Sequence, residues 1–243
     1  MWLVLIFWFG VVHAGVESQT FIWDLKVENQ RVGSRKLVLK DMEGKYKRRV
    51  IESWTEINAQ NLGSQFTFQQ RLTGHIMGGP ASFHAVIEAS GRPREIQGRR
   101  SGLGWQVSVV EKGRARSWEL AADQVDLSSV DLFNPDSPVH LTRLSHARIL
   151  SAETGAILEG KLTPLGASRI YIDGEPVVVR GFQLKSESTD ASFFFDSEGV
   201  LVRYQTFLVG LSLSGTLRTP PPRGRDHFKV YVGSQRVTET DIL

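Results

Sequence analysis

The sequence predicts a mainly β protein: a large antiparallel meander curled into a half-barrel or a sandwich, with at most one or two short helical turns. Three observations carry this. Apolar and polar residues alternate at period two along most of the chain, and helical period is nearly absent. The alternating segments are joined by short connections rich in Gly, Asn and Asp, the chemistry of hairpin turns. Within each segment one face is apolar and the other polar, as in an antiparallel sheet with one wet side. Phe66, Phe68, Leu72 and Ile76, for example, oppose Gln65, Thr67, Gln69, Arg71, Thr73 and His75.

In order, strands are expected at 21–28 and 34–40, turning at Asn29-Gln30-Arg31 and again at Asp41-Met42-Glu43-Gly44. Strands follow at 49–57, 65–76 and 81–89, the last closed by Ser90-Gly91-Arg92-Pro93. Segments 94–100, 105–111 and 114–120 continue the pattern, punctuated by Gly102, Gly104 and Gly113. The alternation then fails. Residues 123–138 are acidic and contain Asn134-Pro135 and Ser137-Pro138, with one helical turn expected over Ser128 to Phe133, capped by Ser128 or Ser129. Strands resume at 147–150, 156–162, 168–172, 177–184, 191–195, 200–206 and 211–218, with turns at Glu153-Thr154-Gly155, Asp173-Gly174 and Ser197-Glu198-Gly199. Pro220-Pro221-Pro222 enforces an extended segment before a last strand at 228–232. The domain reading is a signal peptide over 1–14 and one β domain over 15–243. Its N-terminal half covers about 20–120, a crossover about 121–140, and its C-terminal half about 141–243.

The address comes from the start of the chain. Trp2 to Val12 is an unbroken apolar run of eleven residues, followed by Val12-His13-Ala14 with small residues where signal peptidase reads. Eleven residues of helix reach roughly 16 Å, half of a hydrocarbon core, so a cleaved leader is expected and not an anchor. The expected location is therefore exported, periplasmic or associated with the outer envelope. The chain has no cysteine, which excludes disulfide staples, thiol nucleophiles, thiolate zinc sites, iron–sulfur clusters and a lipoprotein anchor. Its 41% apolar content suits a domain stabilised by core burial.

Charge is unevenly spread. Residues 26–49 carry nine Lys/Arg against three Asp/Glu, residues 92–116 seven against two, and residues 119–136 five acids and no base. Export removes nucleic acid as a partner, leaving lipid headgroups and other envelope anions, with peripheral membrane contact.

No catalytic or metal pattern emerges. Ser82 and His84 share a strand face, but their parallel side chains stand roughly 6.5–7 Å apart and lack a Gly-x-Ser-x-Gly elbow. Glu52, Trp54 and Glu56 also share a face. Their carboxylates span roughly 13 Å, against about 5–9.5 Å for a glycosidase pair, so ion pairing with Arg71 or a lysine is expected. The histidines form neither His-x-His nor His-Glu-x-x-His. His75 and His84 could meet across a hairpin, but no metal ligand and no cofactor is assigned. The densest chemistry is at Arg92, Arg94, Arg99 and Arg100, since guanidinium suits bidentate binding of phosphate or carboxylate. The candidate ligand-binding set is Trp54, Arg71, His84, Arg92, Arg94, Arg99 and Arg100. Arg92, Arg94 and Arg100 are expected on one strand face, with Arg99 on the other.

Leu158 to Leu217 contains Glu159-Gly160, Gly166-Ala167-Ser168-Arg169-Ile170, Gly174-Glu175-Pro176-Val177-Val178-Val179, the run Phe195 to Tyr204 (FDSEGVLVRY) and Gly210-Leu211-Ser212-Leu213. This quarter of the chain resembles uncharacterised exported β-rich families of Gram-negative bacteria, similar in plan to LolA/LolB-like half-barrels. The resemblance implies a carrier for lipids or lipoproteins and supplies no site residue. The leading expectation is a non-enzymatic envelope binding or carrier protein for a lipid-like or anionic amphiphile, or an envelope assembly factor. The alternatives are an envelope-polymer hydrolase acting through Glu52/Glu56 or Ser82/His84, and a protein-binding scaffold that uses strand edges.

Overall fold

The computed structural model describes residues 17–42, 48–61, 64–77, 81–102, 104–208, 211–219, 231–232 and 235–236. The leader, the Glu43-Gly44 part of the second turn, the proline run and residues 228–230 of the expected last strand lie outside these. The first meander is β1 (Glu17–Val27), β2 (Gln30–Met42), β3 (Arg48–Asn61), β4 (Ser64–Met77), β5 (Ser82–Ala89), β6 (Arg92–Ser101), β7 (Gly104–Glu111) and β8 (Arg114–Ala121). A crossover follows, with 3-10 turns at Ala122–Gln124 and Asp131–Phe133, a short β9 (Leu127–Ser128) and a five-residue helix α1 (Ser137–Leu141). The second meander is β10 (His146–Leu150), β11 (Ile157–Ile172), β12 (Glu175–Lys185), β13 (Asp190–Phe195), β14 (Leu201–Leu208) and β15 (Leu211–Leu217). Two-residue strands β16 (Tyr231–Val232) and β17 (Gln235–Arg236) pair with each other.

Fifteen strands form one sheet, in the order β8 to β1 and then β15 to β9. The meanders join where β1 pairs antiparallel with β15, Trp23 opposite Leu217. Only β9 and β10 run parallel, so the sheet is mixed at one edge. The connection from β8 to β9 sets the curvature. Laid flat, these two edge strands would stand roughly 67 Å apart at the ordinary strand spacing. The chain from Ala121 to Leu127 reaches at most about 20 Å. The sheet must therefore curl until its edges approach, giving an open barrel. Export, by contrast, has no structural counterpart among the described residues.

What fills the barrel is a plug made of the crossover and the β10–β11 turn (Ser151 to Ala156), joined where the Ser129 hydroxyl accepts from the Ala152 N–H and donates to Glu153. An added Cβ on Gly74 (β4) would stand 2.6 Å from Val130, and one on Gly155 would meet Val109 at 3.0 Å, Ile96 at 3.5 Å and Trp118 at 3.6 Å. Trp23 (β1) meets the Phe133 ring edge-on with centroids 5.7 Å apart. Strands from β1 to β8 thus touch the two joined segments of the plug with one face, so that face is concave. The acidic crossover is the larger part of this internal plug. Its Val125, Leu127, Val130, Leu132 and Leu141 are buried together with Trp23, Trp105, Phe68, Phe182 and Phe195 of the sheet. Apolar residues at poorly alternating positions made this legible only in three dimensions.

Three local details differ from the sequence expectation. The first turn is Glu28-Asn29, with φ of 49° and 66°, the two-residue geometry that matches strand twist. The separate strands at 156–162 and 168–172 are one strand, β11. A bulge at Leu165, between Pro164 and Gly166, takes up the missing N–H and the left-handed φ of 76° without ending it. The capping near Ser128 runs the other way: the Ser128 backbone N–H and hydroxyl both donate to the Asp131 carboxylate, at 2.7 and 2.9 Å.

Candidate functional site

Strand register sorts the candidate residues onto two faces. The inner face carries a cross-strand row, Trp23–Arg35–Thr55–Gln70–Ile87–Arg94, through β1 to β6. Arg35 is 8% exposed, a basic residue in the middle of an apolar concave sheet. Its Nε donates to Thr55 Oγ1 at 2.9 Å and its Nη2 to Glu153 of the plug at 3.2 Å. The guanidinium lies over the rings of Phe133 and Tyr204, 5.7 and 5.5 Å from their centroids. Burial opposes its charge, but Glu153 and, once ionised at high pH, the Tyr204 phenolate outweigh that and hold its pKa above the ordinary value. Glu153 also accepts from the hydroxyls of Ser129 and Ser151, at 3.1 and 3.2 Å.

Around this pair, buried polar atoms stand without partners among the described residues: Ser53 Oγ, both amide atoms of Gln70 and the Tyr204 hydroxyl. Burial pushes the Tyr204 hydroxyl pKa up, so it stays a neutral donor. Each such orphaned group costs about 1–3 kcal/mol, so several around one cation mark a site built for polar company. Composition and spacing did not reveal it. The only sequence signal was Arg35, Ser53, Thr55 and Gln70 standing at positions whose period-two neighbours, such as Leu37, Ile51, Ile57, Phe68 and Leu72, are apolar.

The plug is tied down elsewhere by the same chemistry. Arg49 grips Asp41 through two bonds of 2.6 and 3.0 Å and reaches Asn134 at 3.4 Å. Arg148 pairs with Asp126 at 3.2 Å. Burial raises the Asp131 carboxyl pKa, against the hydrogen bonds from Ser128 and the charges of Arg100 and His140. The crossover is thus held from both halves, its Asp126 by Arg148 of β10 and its Asn134 by Arg49 of β3.

The seven candidate residues do not form one site. Arg92, Arg94 and Arg100 fall on the inner face with Ile96 and Gly98, as expected, and Arg94 is taken by Glu111 at 2.8 Å. Trp54, Arg71, His84 and Arg99 fall on the outer face. There Lys36 sits 5.9 Å over the Trp54 ring, and Lys40 binds Glu52 at 2.6 Å, the lysine pairing expected for that carboxylate. His84 Nε2 and Glu95 lie 2.9 Å apart, and hydrogen bonds from Gln97 and His84 hold the Glu95 carboxyl below its usual range. Ser82 makes no hydrogen bond to His84 among the described residues. A groove of about 620 Å³ crosses the outer face of β5 to β8, with two polar rows: His84–Gln97–Ser108–Ser117 and Ser82–Arg99–Gln106–Glu119. No cluster of three or more His, Asp or Glu residues fit to hold a metal occurs among the described residues.

Fold and site together define an open β barrel closed from within by an acidic plug. This chain is similar to the crystal structure of a beta-barrel-like protein, a domain of unknown function (DUF1849) from Brucella abortus. The two share 9% identity with a TM-score of 0.57, over 84% of this chain and 96% of the other. At that identity the likeness concerns the fold, and it places the chain beside an uncharacterised β-rich family. No protein-family model matches the sequence, and no curated protein matches it.

Proposed function

We propose that this protein is a non-enzymatic binding or carrier protein of the cell envelope, whose concave face takes an anionic amphiphile when the plug withdraws. The observation that carries this is the Arg35 site. Glu153 presents a carboxylate to a buried guanidinium, in the position an anionic headgroup would take. The unpartnered Ser53, Gln70 and Tyr204 supply further donors and acceptors beside it. Phe21, Trp23, Leu37 and Leu72 provide the apolar wall against which an acyl chain would be buried. A concave apolar wall with a buried cation supports the carrier reading that the LolA/LolB-like resemblance implies, with the plug standing in for cargo. The headgroup competes with Glu153, so plug and ligand exclude one another.

The test is lipid extraction and mass spectrometry on natively purified protein, together with titration of phosphatidylglycerol in mixed micelles. Glu153→Gln, which loosens the plug, is expected to raise the bound amphiphile. Arg35→Met is expected to abolish binding. Equal binding by both variants, or none by either, overturns the reading.

A second reading rests on β8. It is an eight-residue edge strand that pairs only with β7 among the described residues, and most of its side chains are exposed on both faces. Such an edge suits addition of a partner's strand. Crosslinking from Ala115 in whole cells would identify that partner.

A further inference from the structure

We propose that the outer face of β3 to β8 is a separate binding surface for an uncharged oligosaccharide lying across the strands. It is independent of the concave site, because alternate residues on the same strands point oppositely.

The groove sets the first constraint. At about 620 Å³ it falls within the range of small-ligand clefts, yet its outward side chains are polar. The side chains that project from its strands on this face all carry hydrogen-bonding groups, which suits a molecule covered with hydroxyl groups. Gln97, Ser108 and Ser117 stand in register on β6, β7 and β8 beside His84 on β5, an uninterrupted rank of donors and acceptors. Ser108 and Ser117 have no side-chain hydrogen bond among the described residues, so their hydroxyls are available. The rank spans three strand spacings, roughly 14 Å, so the ligand must be longer than a monosaccharide.

Charge sets the second constraint. Arg71 and Arg99 have no ion pair among the described residues, which by itself would suggest an anion. The same face, however, carries Glu56 and Glu88 beyond Arg71, and Glu119 two strands from Arg99. A polyanion would meet those carboxylates and a polycation the arginines. A neutral polyhydroxyl chain accepts from the guanidinium and donates to the carboxylates, so it uses both signs and is repelled by neither.

The third observation is Trp54. Its side chain is 39% exposed, in the outer-face row that runs to Arg71 and Val86 and passes beside His84. Two strands from β5 on the same face, this indole offers an apolar plane for the C–H face of a sugar ring that extends beyond the groove, with the Lys36 ammonium 5.9 Å from its centroid.

Isothermal titration of the full chain with tetra-N-acetylchitotetraose and with cellotetraose tests the proposal. Saturable binding of at least one is expected. It should weaken about tenfold in Trp54→Ala and in Gln97→Ala, and stay unchanged in Tyr171→Ala, an exposed residue on the β11–β12 hairpin. Thermal melts of the variants distinguish lost binding from lost folding, and Ser108→Ala provides a milder probe of the same rank. Absence of binding to both probes at millimolar concentration overturns the proposal. So does binding indifferent to Trp54 and Gln97, or binding of tetragalacturonate in preference to the neutral probes. None of these outcomes bears on Arg35, so the carrier reading stands or falls separately.

Discussion

The Arg35–Glu153 pair lends itself to a double-mutant cycle. The Arg35 side chain is 9% exposed and that of Glu153 18%. Glu153→Gln leaves a buried guanidinium without its counter-charge, which costs about 3 kcal/mol when one member of a buried pair is removed. Arg35→Met leaves a carboxylate that is more exposed and still bonded to Ser129 and Ser151, at a cost of about 2 kcal/mol. The double variant buries neither charge and puts a flexible apolar chain beside Phe133 and Tyr204, so its expected cost is only about 2 kcal/mol. The coupling energy is then about 3 kcal/mol, well above the 0.3–0.5 kcal/mol or so of non-additivity between independent sites. Urea unfolding at pH 7, followed by tryptophan fluorescence and extrapolated linearly, measures all four corners. A double variant destabilised by the sum of the singles, about 5 kcal/mol, would refute the claim that this pair fastens the plug to the sheet.

Other expectations follow from the same geometry. The Asp196 carboxyl is pushed up to about 6 by burial, against the backbone N–H groups of Val200 and Glu198. In the unfolded chain it titrates near the ordinary 3.8, so the folded state holds the proton more tightly. Its contribution to stability is therefore fully present below about pH 4 and lost as pH rises through 6, by about 3 kcal/mol. Asp196→Asn keeps the acceptor and removes the titration, and melts from pH 4 to 7.5 should show a flatter profile than wild type. Gly98→Ala places a methyl 2.4 Å from the Phe83 ring that lies across it, and should cost about 2 kcal/mol by thermal denaturation. Gly91→Ala meets no atom within 4 Å and should cost only about 1 kcal/mol for its left-handed φ of 73°. Arg218→Ala breaks an exposed pair with Asp24 and should change stability by about 0.5 kcal/mol or less, less still in high salt.

Much of the fold could be read along the chain because strand periodicity is a local property. Phe66, Phe68 and Leu72 announce their face through their nearest neighbours, and Ser90-Gly91, Gly113 and Asp173-Gly174 announce hairpins through backbone chemistry. The reading failed where compensation came from afar. Pro164 and Gly166 looked like a break because the paired strand that absorbs them, β12, lies outside the local window. The crossover reads only as a poorly alternating acidic stretch because the groups it meets, Trp23 and Arg49, stand about a hundred residues earlier.

The candidate site was less legible. Trp54, Arg71, His84 and Arg99 share a face across β3 to β6, a fact of pairing register and not of chain order. Arg92, Arg94 and Arg100 lie close to Arg99 along the chain, and the pleat sends those three to the opposite side, as their spacing predicts. The groups that form the buried polar centre, Ser53, Gln70, Tyr204 and Glu153, are unremarkable in sequence. Only burial makes an ordinary glutamine or serine informative, because water satisfies it anywhere else.

By itself, the sequence determined the element type, most hairpins, the absence of disulfides and which side chains share a strand face. Each follows from interactions within a few residues. Tertiary structure decided how far the sheet curls, which face is concave, and what fills it. Those depend on the six-residue step from Ala121 to Leu127 drawing together the edges of a fifteen-stranded sheet, and on which charges burial brings into contact.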